Sequence, residues 1–124
     1  MSNQQQGGGR HTPGRRQFMV RLPADLYRWL HQTSVLEART KTALMVDAVT
    51  WVREMPQWPQ HLRTVRISDD PRRVTSFDLP PEIHAWLRLE SSEEHWSANE
   101  LAARTLEAWR RERERSAEAV KHRQ

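Results

Sequence analysis

The sequence contains no cysteine, which excludes disulfide bonds and zinc sites built from thiolates. Its six histidines are scattered, and no two of them have the i, i+4 spacing that a helix uses to bind a metal. No apolar run approaches the ~20 residues of a membrane-spanning helix. The amino end is polar and lacks the apolar stretch of a secretory signal. These absences predict a cytoplasmic protein that has no disulfide or metal to stabilise it.

Catalytic motifs are also missing. The serine, histidine and aspartate residues form no recognisable nucleophile motif. No glycine-rich phosphate loop is present, because the run Gly7-Gly8-Gly9 lies in a polar segment without apolar periodicity. The sequence therefore argues against an enzyme and predicts no cofactor.

The most informative feature that is present is an internal repeat. Residues 17–55 (repeat 1) align without a gap with residues 74–112 (repeat 2), at a constant offset of 57. The identical pairs are Leu22-Pro23 and Leu79-Pro80, Trp29-Leu30 and Trp86-Leu87, Ser34 and Ser91, Glu37 and Glu94, Leu44 and Leu101, and Arg53 and Arg110. A repeat defines the folding unit. Each unit is too short to be stable without a disulfide, a metal or a partner. We therefore expect the two halves to complete each other.

Each repeat has the pattern of a strand followed by two helices. In repeat 1 the segment from Gln17 to Leu22 alternates apolar and polar residues, and Pro23 opens a helix. Thr40 is a suitable N-cap for the second helix, which is expected to run to Met55. The predicted buried faces consist of Leu26, Trp29, Leu30, Thr33 and Leu36 on the first helix and of Leu44, Met45, Ala48, Val49, Val52 and Met55 on the second.

Repeat 2 restarts the same pattern. Thr75, Phe77 and Leu79 alternate, and Ser97 with Glu100 forms a capping box for the last helix. A lone short strand leaves its backbone unpaired, so the strands of the two repeats are expected to pair antiparallel above four helices. The predicted core beneath this ribbon is Phe18, Val20, Leu22, Thr75, Phe77 and Leu79.

These patterns divide the chain into five parts. They are a disordered basic arm (1–16), repeat 1 (17–55), a linker (56–73), repeat 2 (74–112) and a charged tail (113–124) that reads as a fraying helical extension. As a flexible coil the linker reaches roughly 20–25 Å, which is enough for pairing within one chain. The predicted fold is mainly α with a short antiparallel β-ribbon.

Charge is distributed unevenly over this basic chain. Its net charge is +4, yet repeat 2 carries four arginines against eight acidic residues, whereas repeat 1 has five cations and four acids. A basic balance suits nucleic acid as a partner. The two halves therefore share a pattern of buried residues but not a surface.

Both repeats resemble the ribbon-helix-helix DNA-binding proteins of the Arc and MetJ repressor type. The resemblance is carried by the alternating strand that ends in Leu22-Pro23 or Leu79-Pro80 and by the Thr40 or Ser97 cap that follows each proline by 17 residues. It implies two ribbon-helix-helix repeats that form an intramolecular pseudo-dimer, with the ribbon inserted in the major groove of double-stranded DNA.

By this resemblance the outward ribbon residues contact bases. They are Gln17, Met19 and Arg21 in repeat 1 and Val74, Ser76 and Asp78 in repeat 2. Arginine can bind guanine O6 and N7 together, and glutamine can bind adenine N6 and N7. If the strands pair symmetrically about Met19 and Ser76, then Arg21 lies opposite Val74 and Gln17 lies opposite Asp78. The ribbon then has a cationic end and an acidic end, which predicts a target site that is not palindromic. The alternative is that these residues are merely exposed.

The resemblance also implies phosphate contacts at the amino ends of the second helices, where free N–H groups point outward. The predicted residues are Thr40, Lys41 and Thr42 in repeat 1, Ser97 and Asn99 in repeat 2, and the arginine pairs Arg15-Arg16 and Arg72-Arg73 before the two strands. Helix capping and solvated charge are the alternatives. Among the six tryptophans, Trp29, Trp86 and Trp109 are predicted to pack in the core and not to stack on single strands, whereas Trp51, Trp58 and Trp96 fit no pattern.

Three functions remain open from the sequence. The first is a transcriptional repressor, and the second is a plasmid partition (centromere-binding) or conjugative transfer-origin accessory protein, associated with nucleoid or plasmid. In both, self-association on adjacent DNA sites is implied by the resemblance. The third is an antitoxin or protein-docking module that binds a protein partner through repeat 2 or the tail. No membrane partner is expected.

Overall fold

The computed structural model describes residues 14–122, which form a mainly helical fold with one two-stranded antiparallel sheet within that range. The elements are β1 (Arg16–Pro23), α1 (Ala24–Glu37), α2 (Lys41–Arg53), α3 (Trp58–Arg63), β2 (Arg72–Leu79), α4 (Pro81–Glu93) and α5 (Ala98–His122). Most of the predicted basic arm, residues 1–13, lies outside the described residues.

The two strands come from different repeats and pair with each other, as predicted. Met19 lies opposite Ser76, Arg21 opposite Val74, and Gln17 opposite Asp78. This is the register expected from symmetric pairing. Arg72 and Arg73, which were predicted to precede the second strand, belong to it and lie opposite Pro23 and Leu22.

The core lies beneath the ribbon. Phe18, Val20 and Leu22 of β1 and Phe77 and Leu79 of β2 are buried there. They pack against the buried faces of the helices, which include Leu26, Leu30, Leu44, Val49, Ile83, Leu87, Leu101 and Leu106. The prediction that Thr75 is part of the core was wrong in degree, since this residue near the start of the second strand is only half-buried.

The second helix of each repeat begins at the predicted cap. Thr40 Oγ1 accepts a hydrogen bond from Ala43 N at 3.0 Å, and Ser97 Oγ accepts one from Glu100 N at 2.9 Å. The second bond of the capping box does not appear among the hydrogen bonds of the described residues. Instead the Glu100 carboxylate accepts from Arg104 Nε at 2.7 Å, because a charged donor one turn away is the stronger partner.

The turns between paired helices are repeated in detail. Ala38 and His95, which are repeat equivalents, both adopt the left-handed conformation, with φ of 54° and 63°. Their neighbours Arg39 and Trp96 donate backbone bonds to Ser34 O at 3.0 Å and to Ser91 O at 2.9 Å. The repeat in sequence is therefore a repeat in backbone geometry.

Two sequence predictions need correction, and a third agrees with the structure. Leu36, predicted on the buried face of the first helix, is 84% exposed, because α1 ends at the next residue and its last turn leaves the core. The linker is not a featureless coil, since α3 forms within it and buries Trp58 and Leu62. The described part of the charged tail, residues 113–122, continues α5 without a break, in agreement with the helical extension that the sequence predicted.

Four of the six tryptophans pack as two pairs. Trp29 meets Trp109 edge to face, with ring centroids 6.0 Å apart, and Trp86 lies 5.0 Å from Trp58. The predicted packing of Trp29, Trp86 and Trp109 against the core is confirmed, although Trp29 and Trp86 are only half-buried. Within the described range, no helix is both long enough and apolar enough to cross a membrane.

Candidate nucleic-acid interface

The outer face of the ribbon is exposed along most of its length. Gln17, Met19 and Arg21 are exposed on β1, with Met19 at 66%. On β2, Val74 and Ser76 are exposed, whereas Asp78 is half-buried. Five of the six predicted base-contact residues are therefore open to solvent, and the sixth is partly covered.

One end of the ribbon, which we call the Arg21 end, consists of Arg21, Val74, Arg72 and Asn99. Asn99, in the first turn of α5, accepts from Arg21 N at 2.6 Å through Oδ1 and donates to Arg21 O at 3.2 Å through Nδ2. Arg72 Nη1 donates to the same carbonyl at 3.1 Å. Among residues 14–122, strand β1 has no neighbouring strand on this edge, so these side chains satisfy the backbone groups that a sheet edge leaves unpaired.

The other end, which we call the Asp78 end, consists of Asp78, Gln17, Arg15 and Thr42. Thr42, in the first turn of α2, accepts from Asp78 N at 3.0 Å through Oγ1. Arg15 Nη1 donates to Asp78 O at 3.1 Å. Thr42 and Asn99 are repeat equivalents, as are Arg15 and Arg72, so the same support is built at both ends from the other repeat.

No comparison identifies this chain. A scan against protein-family models, a search of curated proteins and a search of solved structures each found no match. The functional argument therefore depends on the residues and their geometry.

The predicted phosphate residues all lie at or near the ribbon and the helix amino ends, but several of them also have structural partners. The side chains of Thr40 and Ser97 cap helices, and those of Thr42 and Asn99 bind the strand edges. Capping, the alternative considered from the sequence, therefore applies to the first pair. The two caps take up the N–H groups of Ala43 and Glu100, and these four contacts do not use the other first-turn N–H groups of α2 and α5.

Cations surround the ribbon through contacts with aromatic rings. Arg73 and Lys41 both lie over the Tyr27 ring, at 4.8 Å and 5.3 Å from its centroid. The repeat equivalent of Tyr27 is His84, whose ring lies edge-on to Phe18 at 5.9 Å. Burial lowers the pKa of His84, and the positive charges of Arg88 and Arg16 lower it further. His84 is therefore harder to protonate than a free histidine side chain.

Two salt bridges that the sequence reasoning missed connect the repeats. Arg53 of α2 contacts Glu82 of α4 at 3.3 Å, and Arg110 of α5 contacts Asp25 of α1 at 3.2 Å. Both partners are repeat equivalents, so this is one contact made twice. The identity of Arg53 with Arg110 and the acidic match of Asp25 with Glu82 were visible in the alignment. Read together, those two matches could have predicted the pairing.

The two salt bridges differ in their surroundings. At Arg110, burial acts to lower the pKa, but Glu107, Glu114 and Asp25 more than offset it and hold the pKa above its ordinary value. Arg110 therefore keeps its charge inside a network of three acids. The partner of Arg53, Glu82, has a side chain that is 67% exposed, so water screens that bridge more strongly.

The described residues contain no group of three or more histidines and acids that could hold a metal.

The outer face of the ribbon offers hydrogen-bond donors and acceptors on a backbone that helix residues hold at both ends. Such an arrangement can recognise a ligand that presents a matching row of polar groups.

Proposed function

We propose that this chain is a fused pair of ribbon-helix-helix units that binds double-stranded DNA in a sequence-specific manner, with the outer face of the ribbon in the major groove. The observation that carries the proposal is the exposed row Gln17, Met19 and Arg21 on a ribbon braced at both ends by helix amino ends from the opposite repeat. A rigid support favours specific readout because little conformational freedom is lost on binding.

The dimensions of the ribbon suit the major groove. Two paired strands lie about 4.8 Å apart, and the groove of B-form DNA is about 12 Å wide and admits a two-stranded ribbon. Arg21 can donate two hydrogen bonds to guanine, and Gln17 can pair with the edge of adenine. Met19 adds an exposed apolar contact at the centre.

The helix amino ends beside the ribbon support phosphate binding. In the proposed complex, the first turns of α2 and α5 lie against the two walls of the groove, where free backbone N–H groups favour anions. Positive charge near the ribbon also comes from Lys41 and Arg73 over the Tyr27 ring and from Arg16 and Arg72 in the two strands. Contacts of this kind position the protein on the duplex, while the ribbon side chains provide specificity.

The two ends of the ribbon present different chemistry, so the proposed target site is not palindromic. The Arg21 end offers an exposed guanidinium, whereas the Asp78 end carries a half-buried carboxylate, which would repel phosphate or accept from a cytosine amino group. The biological role we propose is transcriptional regulation, most simply repression by covering a promoter.

Selection of bound duplexes from a random pool, followed by titration against salt, tests this proposal. Arg21→Ala should weaken binding by about 1–3 kcal/mol and relax the preference at one base position. Arg115→Ala serves as a matched control, because Arg115 is 75% exposed near the far end of α5. Its loss should leave affinity and base preference as in the wild type.

Two outcomes would contradict the proposal. Unchanged affinity and specificity in Arg21→Ala would exclude readout by the ribbon, and a palindromic consensus would exclude the asymmetric site.

Two further experiments examine the acid and the biological role. Asp78→Ala separates the two roles proposed for the acid, since repulsion of phosphate predicts that the variant binds more tightly, whereas cytosine recognition predicts a changed base preference. In a reporter assay, a promoter that contains the selected site should be silenced by the wild type and released by Arg21→Ala.

A further inference from the structure

The segment between the repeats packs against the rest of the protein. Trp58 and Leu62 of α3 and the following Val65 are buried. Trp58 packs on Trp86 of α4, with ring centroids 5.0 Å apart. The segment thereby covers apolar surface of repeat 2 that would otherwise face water.

Two arginines of α5 hold the backbone of this segment. Arg104 Nη1 donates to Leu62 O at 2.9 Å and to Val65 O at 3.0 Å. Arg111 Nη2 donates to Arg66 O at 2.7 Å. Charged donors make strong hydrogen bonds, and three of them over five residues fix the position of the chain. The side chains that project from it therefore form a defined surface.

A polar groove of about 540 Å³ lies between this fixed segment and the first turns of α5. The charged residues that line it are Arg63, Arg66, Arg72, Arg104, Asp69 and Glu100. Arg72 also donates to Arg21 O, and Glu100 is the next residue after Asn99, so the groove adjoins the Arg21 end of the ribbon.

The groove keeps an excess of positive charge after its internal pairs are counted. Arg104 and Glu100 pair at 2.7 Å, and Arg63 pairs with Glu94 outside the groove. Arg66 is exposed, and no acid of residues 14–122 lies within ion-pair distance of it. Arg72 uses one of its five donors on Arg21 O. Two guanidinium groups can therefore bind an anion, against the single carboxylate of Asp69.

The corresponding groove at the Asp78 end is smaller, about 260 Å³, and Arg15, Arg39, Thr42 and Asp47 are among the residues that line it. The repeat equivalent of Arg104 is Asp47, which pairs with Arg39 at 2.7 Å. Among residues 14–122, no segment like 56–73 lines this smaller groove. Within the described residues, Arg66 of the linker therefore adds its charge to the groove at the Arg21 end and has no counterpart at the other end.

We infer that this groove binds phosphate groups, and specifically the backbone phosphates of the duplex that flanks the ribbon on the Arg21 side. The inference rests on the DNA binding proposed above and extends it: the linker, with Arg66 and Arg72, adds a second contact region outside the major-groove site. Guanidinium groups bind phosphate well because their planar donors match its oxygens. The duplex is consequently covered farther on one side of the ribbon than on the other.

Duplexes shortened on one flank or the other test the inference. The wild type, Arg66→Gln and the control Arg115→Gln are titrated against salt with the full selected site and with each shortened version. On the full site, Arg66→Gln should make the slope of log K against log salt concentration shallower by about 0.9, the value for one lost phosphate contact. One of the shortened duplexes lacks the flank beside the Arg21 end, and on that duplex the wild type and Arg66→Gln should bind with the same affinity. Arg115→Gln should match the wild type on all three duplexes.

The outcomes separate this inference from the proposed function. If Arg66→Gln keeps the wild-type slope while Arg21→Ala still weakens binding, the groove is not a DNA contact and the ribbon proposal stands. If the wild type selects no duplex, both fail. Inorganic tripolyphosphate, titrated by calorimetry, tests the other source of phosphate. Binding that needs Arg66, together with an unchanged DNA slope, would assign the groove to a free anion and overturn the inference.

Discussion

The two ends of the ribbon have equivalent backbone contacts but different outward side chains. At the Arg21 end Asn99 and Arg72 bind the strand backbone, and at the Asp78 end Thr42 and Arg15 do the same from equivalent positions. The side chains that point away from this support are unrelated. The duplicated backbone contacts therefore maintain the fold in both halves, whereas the outward residues are not needed for it and differ between the two ends.

Beside each end, a residue of the turn before the second helix and a residue within that helix also differ between the repeats. In repeat 1, Arg39 and Asp47 form a salt bridge of 2.7 Å. In repeat 2 their equivalents are Trp96 and Arg104, with the guanidinium 5.3 Å from the ring centroid. The arginine also binds two carbonyls of the linker. An acid in repeat 1 has thus been replaced by the cation that docks the connecting segment.

The strongest test of equal support in both halves uses Leu22 and Leu79, which are repeat equivalents and fully buried. Leu22→Ala and Leu79→Ala should each lower the free energy of unfolding by about 2–5 kcal/mol, because each leaves a cavity in the shared core. Urea unfolding followed by circular dichroism measures both. A variant whose stability stays near that of the wild type would show that its half does not need the common core.

The pairing of the strands and its register could be predicted from the sequence, because the apolar alternation and the constant offset leave one symmetric arrangement. The caps at Thr40 and Ser97 followed from local residue chemistry. The docked linker could not be predicted in this way, since the bonds from Arg104 to Leu62 O and Val65 O join residues about forty positions apart.

Two errors had signals that were available in the sequence. Leu36 is equivalent to Glu93, and a charged residue at the matching position indicates an exposed site. Trp58 precedes Pro59, and proline in the first turn is a common feature of helix starts, as in α3. For the base contacts, the sequence provided candidates and the structure provided their exposure, while binding itself stays a prediction.

A smaller effect should distinguish the two edge supports. Asn99→Ala removes two hydrogen bonds to Arg21 and should cost about 1–2 kcal/mol of stability, whereas Thr42→Ala removes one bond to Asp78 and should cost about 0.5–1.5 kcal/mol. Thermal and urea unfolding of the two variants give the comparison. A larger loss for Thr42→Ala would mean that the Asp78 end depends more on its brace than the hydrogen bonds indicate.

The smallest expected effect concerns the pair Tyr27 and His84. The pKa of His84 is lowered in the folded protein from its ordinary value of 6.5, with burial as the first cause. The unfolded chain therefore takes up a proton first as the pH falls below about 6.5, so this histidine's contribution to stability is full above that pH and declines below it. His84→Tyr, which copies Tyr27, should reduce the loss of stability between about pH 7.5 and pH 5.5. An equal loss in both proteins would contradict this assignment.

The pairing of the two strands within one chain has a consequence for behaviour on dilution. A ribbon assembled from separate subunits is lost when the subunits dissociate, so its stability depends on protein concentration. Here β1 and β2 are joined through a connecting segment that is itself held by Arg104 and Arg111. The ribbon therefore persists at any concentration at which the single chain is folded. Every molecule also carries one Arg21 end and one Asp78 end, so the ratio of the two ends does not depend on protein concentration.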